Sequence, residues 1–297
     1  VSMRRTIPGP CPIYVEVRGR DTAPCIVLLL GLGMQLGEWP KDFLDELARD
    51  FRVICIENRD MGRSGRCGSD EEPLDERYDG NAPRLPYTLF DMRDDVMRVL
   101  QELDVCRFAV VGFSMGGMIA QLVAGQAGGR LTAFVQICSS AGEADAPIPP
   151  PALKRFKRIS RGFETEAEML EWFEEDLIWC AAPSKMTRAE AVEVAEAMQI
   201  SGFTTGGYTR QLAAIRFSGD RTDYLRRIAA PSLVIGADQD RCLASESSRR
   251  AHALIPGSKL RMFDGVGHSL DEKMLGHLTN WLFATIPGAL PTTQATY

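Results

Sequence analysis

The sequence predicts an α/β fold, a mostly parallel sheet with helices on both faces and a helical cap inserted before the last two strands. Three observations carry this. Short β-branched or apolar runs alternate with longer amphipathic stretches. The alternation lapses once, over 141–227, where charged helical patterns follow one another with no strand between them. Small residues also crowd around one serine in VVGFSMGG (110–117), where a strand passes directly into a helix.

Along the chain, PIYVEVRG (12–19) predicts an antiparallel strand at one edge of the sheet. CIVLLL (25–30), FRVICIE (51–57), RFAVVG (107–112) and LTAFVQIC (131–138) are short apolar runs of the kind buried in parallel sheets. Between them, PKDFLDELARD (40–50), TLFDMRDDVMRVLQEL (88–103) and MIAQLVAGQAG (118–128) carry apolar residues at helical spacing, and Thr88 is placed to cap the second. Strand and helix in alternation imply parallel strands joined by crossovers. PALKRFKRIS, ETEAEMLEWFEEDLIW, RAEAVEVAEAM and YTRQLAAIRF then read as consecutive helices. PSLVIGA (231–237) and KLRMFDG (259–265) return to the sheet, LDEKMLGHLTNWLFATI closes it with a helix, and PGALPTTQATY reads as a loose tail. The predicted organisation is a core over 1–140, a helical cap over 141–227 and the rest of the core over 228–297, because the strands on either side of the insertion need each other to form one core.

Composition narrows the function classes. Of 297 residues, 45% are hydrophobic, enough for a large core, and 34 Lys+Arg against 40 Asp+Glu leave a net charge of −6 without a long basic block. Nucleic acid and anionic membrane surfaces are poor partners for such a chain. No apolar run approaches the length of a membrane span. The chain is read as cytoplasmic, with its eight cysteines reduced, since they sit singly and form no metal-ligand spacing. Cys25, Cys55 and Cys138 lie in strand-like segments and are assigned to the core.

Ser114 falls on the turn between RFAVVG and a helix starting near Met115, with Gly112 and Gly116 two residues to either side. Glycines there let strand and helix approach closely and push the hydroxyl out at the carboxyl edge of the sheet in a strained backbone. The plainer alternative is a helix N-cap serine beside packing glycines. A nucleophilic serine needs a base, and the chain has three histidines. His252 and His277 lie on helical patterns, whereas His268, in MFDGVGHSLDE, lies in a glycine-flanked loop just past the last strand and is the expected base. The acid that orients it is expected in LVIGADQDRCLA, with Asp240 preferred, Asp238 its local rival, and Glu143 and Asp145 more distant ones. Asp240 leaves room for one helix and one strand before His268. The oxyanion donors are expected to be the backbone N–H of Met115 and, from GLGMQLGEW, that of Leu32, with Gly33 next. The same glycines would also suit a phosphate loop, but the spacing of a dinucleotide fingerprint and the Walker lysine are both missing.

Taken in order, LLGLGMQLGEWP, ENRDMGRSG, GFSMGG, the helical insertion, PSLVIGADQD and GVGHS resemble a capped, cofactor-independent α/β-hydrolase over roughly 12–287. The wording of GLGMQLGEWPKDFLDELA and NRDMGRSG is similar to aclacinomycin methylesterase-like carboxylesterases. The resemblance places Asp240 at the acid position, three residues after Ala237, where relatives carry glycine. Many relatives have His-Gly where this chain has Leu30-Gly31. The resemblance implies a serine hydrolase acting on a small-molecule carboxylic ester through an acyl-enzyme, with neither metal nor organic cofactor. Thioester or carbon–carbon hydrolysis by the same triad and a non-catalytic ligand receptor are the alternatives. Within the insertion, Met169, Trp172, Phe173, Met186, Met198 and Phe203 are candidates for an apolar pocket, though most of them would serve to pack the helices together.

Overall fold

A computed structural model describes residues 3–68, 85–142, 148–183, 186–200, 202–286 and 288. The strands β1 (Met3–Ile7), β2 (Ile13–Arg18), β3 (Cys25–Leu29), β4 (Arg52–Ile56), β5 (Phe108–Phe113), β6 (Leu131–Ile137), β7 (Ser232–Ala237) and β8 (Lys259–Phe263) form one sheet. Their spatial order is β1-β2-β4-β3-β5-β6-β7-β8. β2 is antiparallel to β1 and to β4, and the other pairs are parallel. The antiparallel strand expected at the edge is β2, and it lies one position in. The edge itself is β1, MRRTI, with four of its five residues exposed. Two arginines and no apolar alternation conceal it in the sequence, and those features suit an edge that must not recruit another chain.

Alternation along β3 divides the core. Cys25, Val27 and Leu29 pack on the face covered by α2 (Leu89–Glu102) and α3 (Met115–Ala127), while Ile26 and Leu28 pack on the face covered by α1 (Lys41–Leu47) and α10 (Glu272–Thr285). Thr88 caps α2 as expected: its side chain accepts from the Phe90 N–H at 3.2 Å, and Asp91 Oδ2 accepts from the Thr88 N–H at 2.7 Å.

Between β6 and β7 come α4 (Pro150–Ser160), α5 (Glu166–Ala181), α6 (Arg188–Ile200), α7 (Thr205–Phe217) and α8 (Thr222–Arg226), and α9 (Glu246–Leu254) links β7 to β8. A buried ion pair ties α7 to the loop after β4: Arg210 Nε donates to Asp60 Oδ2 at 2.9 Å and Nη2 to Oδ1 at 2.8 Å. Both side chains are at most 1% exposed. Of the predicted tail, the described residues include Gly288 alone.

The expectation of eight reduced cysteines is corrected. Cys11 and Cys67 form a disulfide with their Cα atoms 6.2 Å apart. They are 56 residues apart in sequence, so spacing could not pair them. The Gly65 N–H donates to the Pro12 carbonyl at 2.7 Å, which already lays the two segments side by side. Cys25, Cys55 and Cys138 are buried thiols. Burial lifts Cys25 and Cys55 to about 12, which makes them inert packing groups. No helix among the described residues is long and apolar enough to cross a membrane.

The sheet sets the place of the site. β3 lies between β4 and β5, so the chain leaves it to one side and later returns on the other. Leu29 pairs with Gly112 at the carboxyl ends of β3 and β5, which brings the loops that follow both strands together.

Candidate active site

Ser114 sits between β5 and α3 at φ 54°, ψ −120°, a conformation side chains rarely adopt. Its surroundings hold it there. The Ser114 N–H donates to the Ile137 carbonyl at 2.9 Å, and the Ser114 carbonyl accepts from the Gly117 N–H and from Ser139 Oγ, each at 2.9 Å. The flanking glycines are steric necessities: a Cβ on Gly112 would lie 2.2 Å from the Gly116 carbonyl oxygen, and one on Gly116 would lie 2.2 Å from that of Leu29. The cap alternative for Ser114 receives no support, because its side chain makes no capping hydrogen bond.

His268 and Asp240 meet Ser114 at this edge. His268 Nε2 lies 2.9 Å from Ser114 Oγ, and Nδ1 lies 2.7 Å from Asp240 Oδ2. The other carboxylate oxygen of Asp240 accepts the N–H groups of Cys242 and Leu243, both at 2.8 Å. An ionised carboxylate only accepts, so Nδ1 carries the proton and Nε2 is left to accept from the serine hydroxyl. His268 is further fixed by its own N–H, which donates to the Cys180 carbonyl on α5 at 2.7 Å, and by the Phe113 ring, 4.9 Å away between centroids. With the His268 side chain 9% exposed and that of Asp240 3%, the pair is nearly shut off from solvent. Asp240 also borders Cys138, whose thiol is held well above its ordinary range by burial and then by that neighbouring charge. Cys138, Asp240 and His268 present ligand atoms within 4.8 Å of one another, the arrangement closest to a metal site among the described residues, but Asp240 and His268 are already engaged with each other and with Ser114.

The rival residues lie elsewhere. Asp238 accepts the Gly265 N–H at 2.7 Å and a Gln239 side-chain N–H at 3.1 Å, and the Gln239 bond leads the causes that lower its pKa. It therefore braces a turn. Glu143 and Asp145 fall outside the described residues. His252 pairs with Ser258 Oγ at 2.8 Å, and His277 packs against Phe263 with burial lowering its pKa.

The loop after β3 passes over the serine: a Cβ on Gly31 would lie 3.2 Å from Ser114 Cβ. Among the described residues, the N–H groups of Leu32 and Met115 have no acceptor. That of Gly33 is taken, since Gln211 Oε1 accepts it at 2.9 Å. Sequence reading missed the residues that support this loop. Asn58 Nδ2 donates to the Leu30 carbonyl at 3.0 Å, and Gln211 Nε2 donates to the Arg59 carbonyl at 2.8 Å. Asn58 lay within a motif the sequence offered, whereas Gln211 sits on an inserted helix and gave no signal. Of the apolar candidates on the insertion, Phe203 comes near the loop, its ring 3.5 Å from a Cβ placed on Gly33, and Phe173 meets Phe203 edge to face with ring centroids 4.8 Å apart. Met198 is buried and its carbonyl accepts from Gln35 Nε2 at 2.8 Å. Met169 and Trp172 pack against the core that includes α2 and α3, and Met186 is half-buried.

Comparisons agree with this architecture. The chain is 25% identical to RutD of Cronobacter sakazakii, provisionally named a carbamate hydrolase, over 91% of this chain and 92% of that one. It is 24% identical to the rhodomycin D methylesterase DnrP of Streptomyces peucetius over 87% of this chain and 89% of that one. The crystal structure of an enol-lactonase from Burkholderia xenovorans superposes with a TM-score of 0.75 at 20% identity, covering 95% of this chain and 99% of that one, which shows a shared fold. The family model for the alpha/beta hydrolase fold matches residues 24–270, and the chain belongs to that family.

Proposed function

We propose that this hydrolase cleaves a small-molecule carboxylic ester through an acyl-enzyme on Ser114. The observation that carries the reading is the continuous chain of hydrogen bonds from Ser114 Oγ through the His268 ring to Asp240, at 2.9 and 2.7 Å. His268 Nε2 takes the hydroxyl proton as Oγ attacks the ester carbonyl, and Asp240 stabilises the imidazolium that results. The negative charge that develops on the carbonyl oxygen faces the N–H groups of Leu32 and Met115, both without acceptors among the described residues. His268 then passes its proton to the leaving alcohol, and a water activated by the same nitrogen releases the acid. None of these steps calls on a metal or organic cofactor. The helices between β6 and β7 serve as a cap, with Phe203 and Phe173 forming an apolar wall beside the oxyanion loop.

The relatives named as a methylesterase and a lactonase lend support to an ester over a thioester or carbon–carbon substrate. The test is stoichiometric labelling by a fluorophosphonate together with turnover of short-chain p-nitrophenyl esters, compared with the matching thioesters and β-diketones. Labelling and ester turnover are both expected to vanish in Ser114→Ala. An inert wild-type protein would instead point to a ligand-binding role for the pocket.

A further inference from the structure

Away from Ser114, α4 and α5 border a half-open cavity of about 740 Å³ with an unusual charge. Lys154, Arg155, Lys157, Arg158 and Arg161 all line it, and among the described residues no acidic side chain does. This concentration of positive charge occurs in a chain whose net charge is −6. Internal pairing accounts for part of it: Arg155 Nε meets Asp176 at 2.5 Å, and Arg158 meets Glu168. Lys154 and Lys157 form no ion pair among the described residues.

Two further observations point to a missing acceptor. Arg155 Nη2 and the Trp172 indole N–H, both on lining residues, are buried donors without a partner among the described residues. Buried donors in that state cost free energy that an acceptor oxygen would recover. The guanidiniums are also held in place. Arg155 lies 4.6 Å over the Trp172 ring and 5.0 Å over that of Trp179, and Arg158 lies 4.6 Å over Phe163. Stacking in this way fixes the guanidinium planes; Arg158 is taken by the Gly162 carbonyl and Glu168 and Arg155 Nε by Asp176, so the donor directed to a carboxylate or phosphate oxygen is Arg155 Nη2. Pro150, Pro151 and Leu153 complete the wall with apolar surface.

We infer that this cavity is a second binding site, which takes a small organic anion with an apolar body. Its volume suits a ligand of that size, and its combination of apolar wall and convergent cations suits that chemistry. A membrane surface is the poorer fit, because Met3, on the far edge strand, is the exposed large hydrophobic side chain among the described residues. The site is separate from the catalytic one, with Asp176 standing between them: it holds Arg155 on one side, and on the other lies 3.9 Å from Cys180 Sγ, the residue whose carbonyl fixes His268.

The test is calorimetric titration of the whole chain with 2-naphthoate and with its uncharged counterpart 2-naphthylmethanol. Naphthoate is expected to bind once per chain, at least about tenfold more tightly than the alcohol, and to weaken as salt is raised. The double substitution Lys154→Glu with Lys157→Glu, at exposed and half-buried positions that leave the core untouched, is expected to weaken naphthoate by about tenfold or more with melting temperature unchanged. Equal affinity for acid and alcohol, or indifference to the charge reversal, would overturn the inference. So would loss of binding once Ser114 carries a phosphonate, which would move the ligand to the acyl pocket, or binding of phosphatidylserine vesicles through the same two lysines. The inference does not depend on ester hydrolysis: a protein that fails to react with fluorophosphonate would still give the naphthoate result.

Discussion

Gln211, on an inserted helix, accepts the N–H of Gly33 at 2.9 Å and donates to the Arg59 carbonyl at 2.8 Å, so one fully buried amide joins the insertion, the loop after β3 and the loop after β4. It occupies Gly33 and leaves the neighbouring Leu32 N–H as a donor without an acceptor among the described residues. Gln211→Met keeps the volume and removes both bonds. On the proposed mechanism, ester turnover is expected to fall by about tenfold to a hundredfold through kcat, with KM little changed, since a displaced oxyanion donor would act on the transition state. Steady-state kinetics would check this, and an unchanged kcat would assign Gln211 to folding alone.

The Arg210–Asp60 pair makes a sharper prediction about stability. Arg210→Met strands a carboxylate that is 0% exposed, and denaturant unfolding should show a loss of about 3–5 kcal/mol. Adding Asp60→Asn should recover much of it, because the charge that cannot be solvated is then gone.

Asp240 is expected to matter for rate far more than for stability. In Asp240→Asn, an amide oxygen can still accept the Cys242 and Leu243 N–H groups, but the amide nitrogen then faces Nδ1 and favours the wrong tautomer. Turnover should drop by about 10³ to 10⁴ with a melting temperature close to that of the wild type.

Glu38 supplies a pH dependence. Its Oε1 accepts the Gln35 N–H at 2.7 Å, and burial, with the nearby Glu57 carboxyl adding to it, raises its pKa from 4.5 to about 8. The folded state therefore holds a proton that the unfolded chain gives up near its ordinary pKa. The contribution of this group to stability is full below the unfolded value and is lost as pH rises toward about 8. Glu38→Gln keeps an acceptor and removes the titration. Thermal melts between those limits should show the variant gaining on the wild type as pH rises, with the difference levelling off above the raised pKa.

Local chemistry made much of this protein legible. Strand-forming runs and amphipathic stretches alternate because their periods follow backbone geometry, and that alone determined a parallel sheet and the insertion between β6 and β7. Ser114 was legible for a similar reason, since only glycines fit at 112 and 116 when strand and helix pass so close. His268 and Asp240 followed from the chemistry a serine needs and from their places at strand ends. Tertiary structure decided what depends on meeting at a distance. An apolar stripe on an inserted helix fixes which face is buried and says nothing of the surface it will meet, so the engagement of Gln211 with Gly33, of Arg210 with Asp60 and of the Cys180 carbonyl with His268 could not be read in advance. The same holds for the Cys11–Cys67 disulfide and for β1, whose charged residues become a strand because β2 offers them a free edge to pair with.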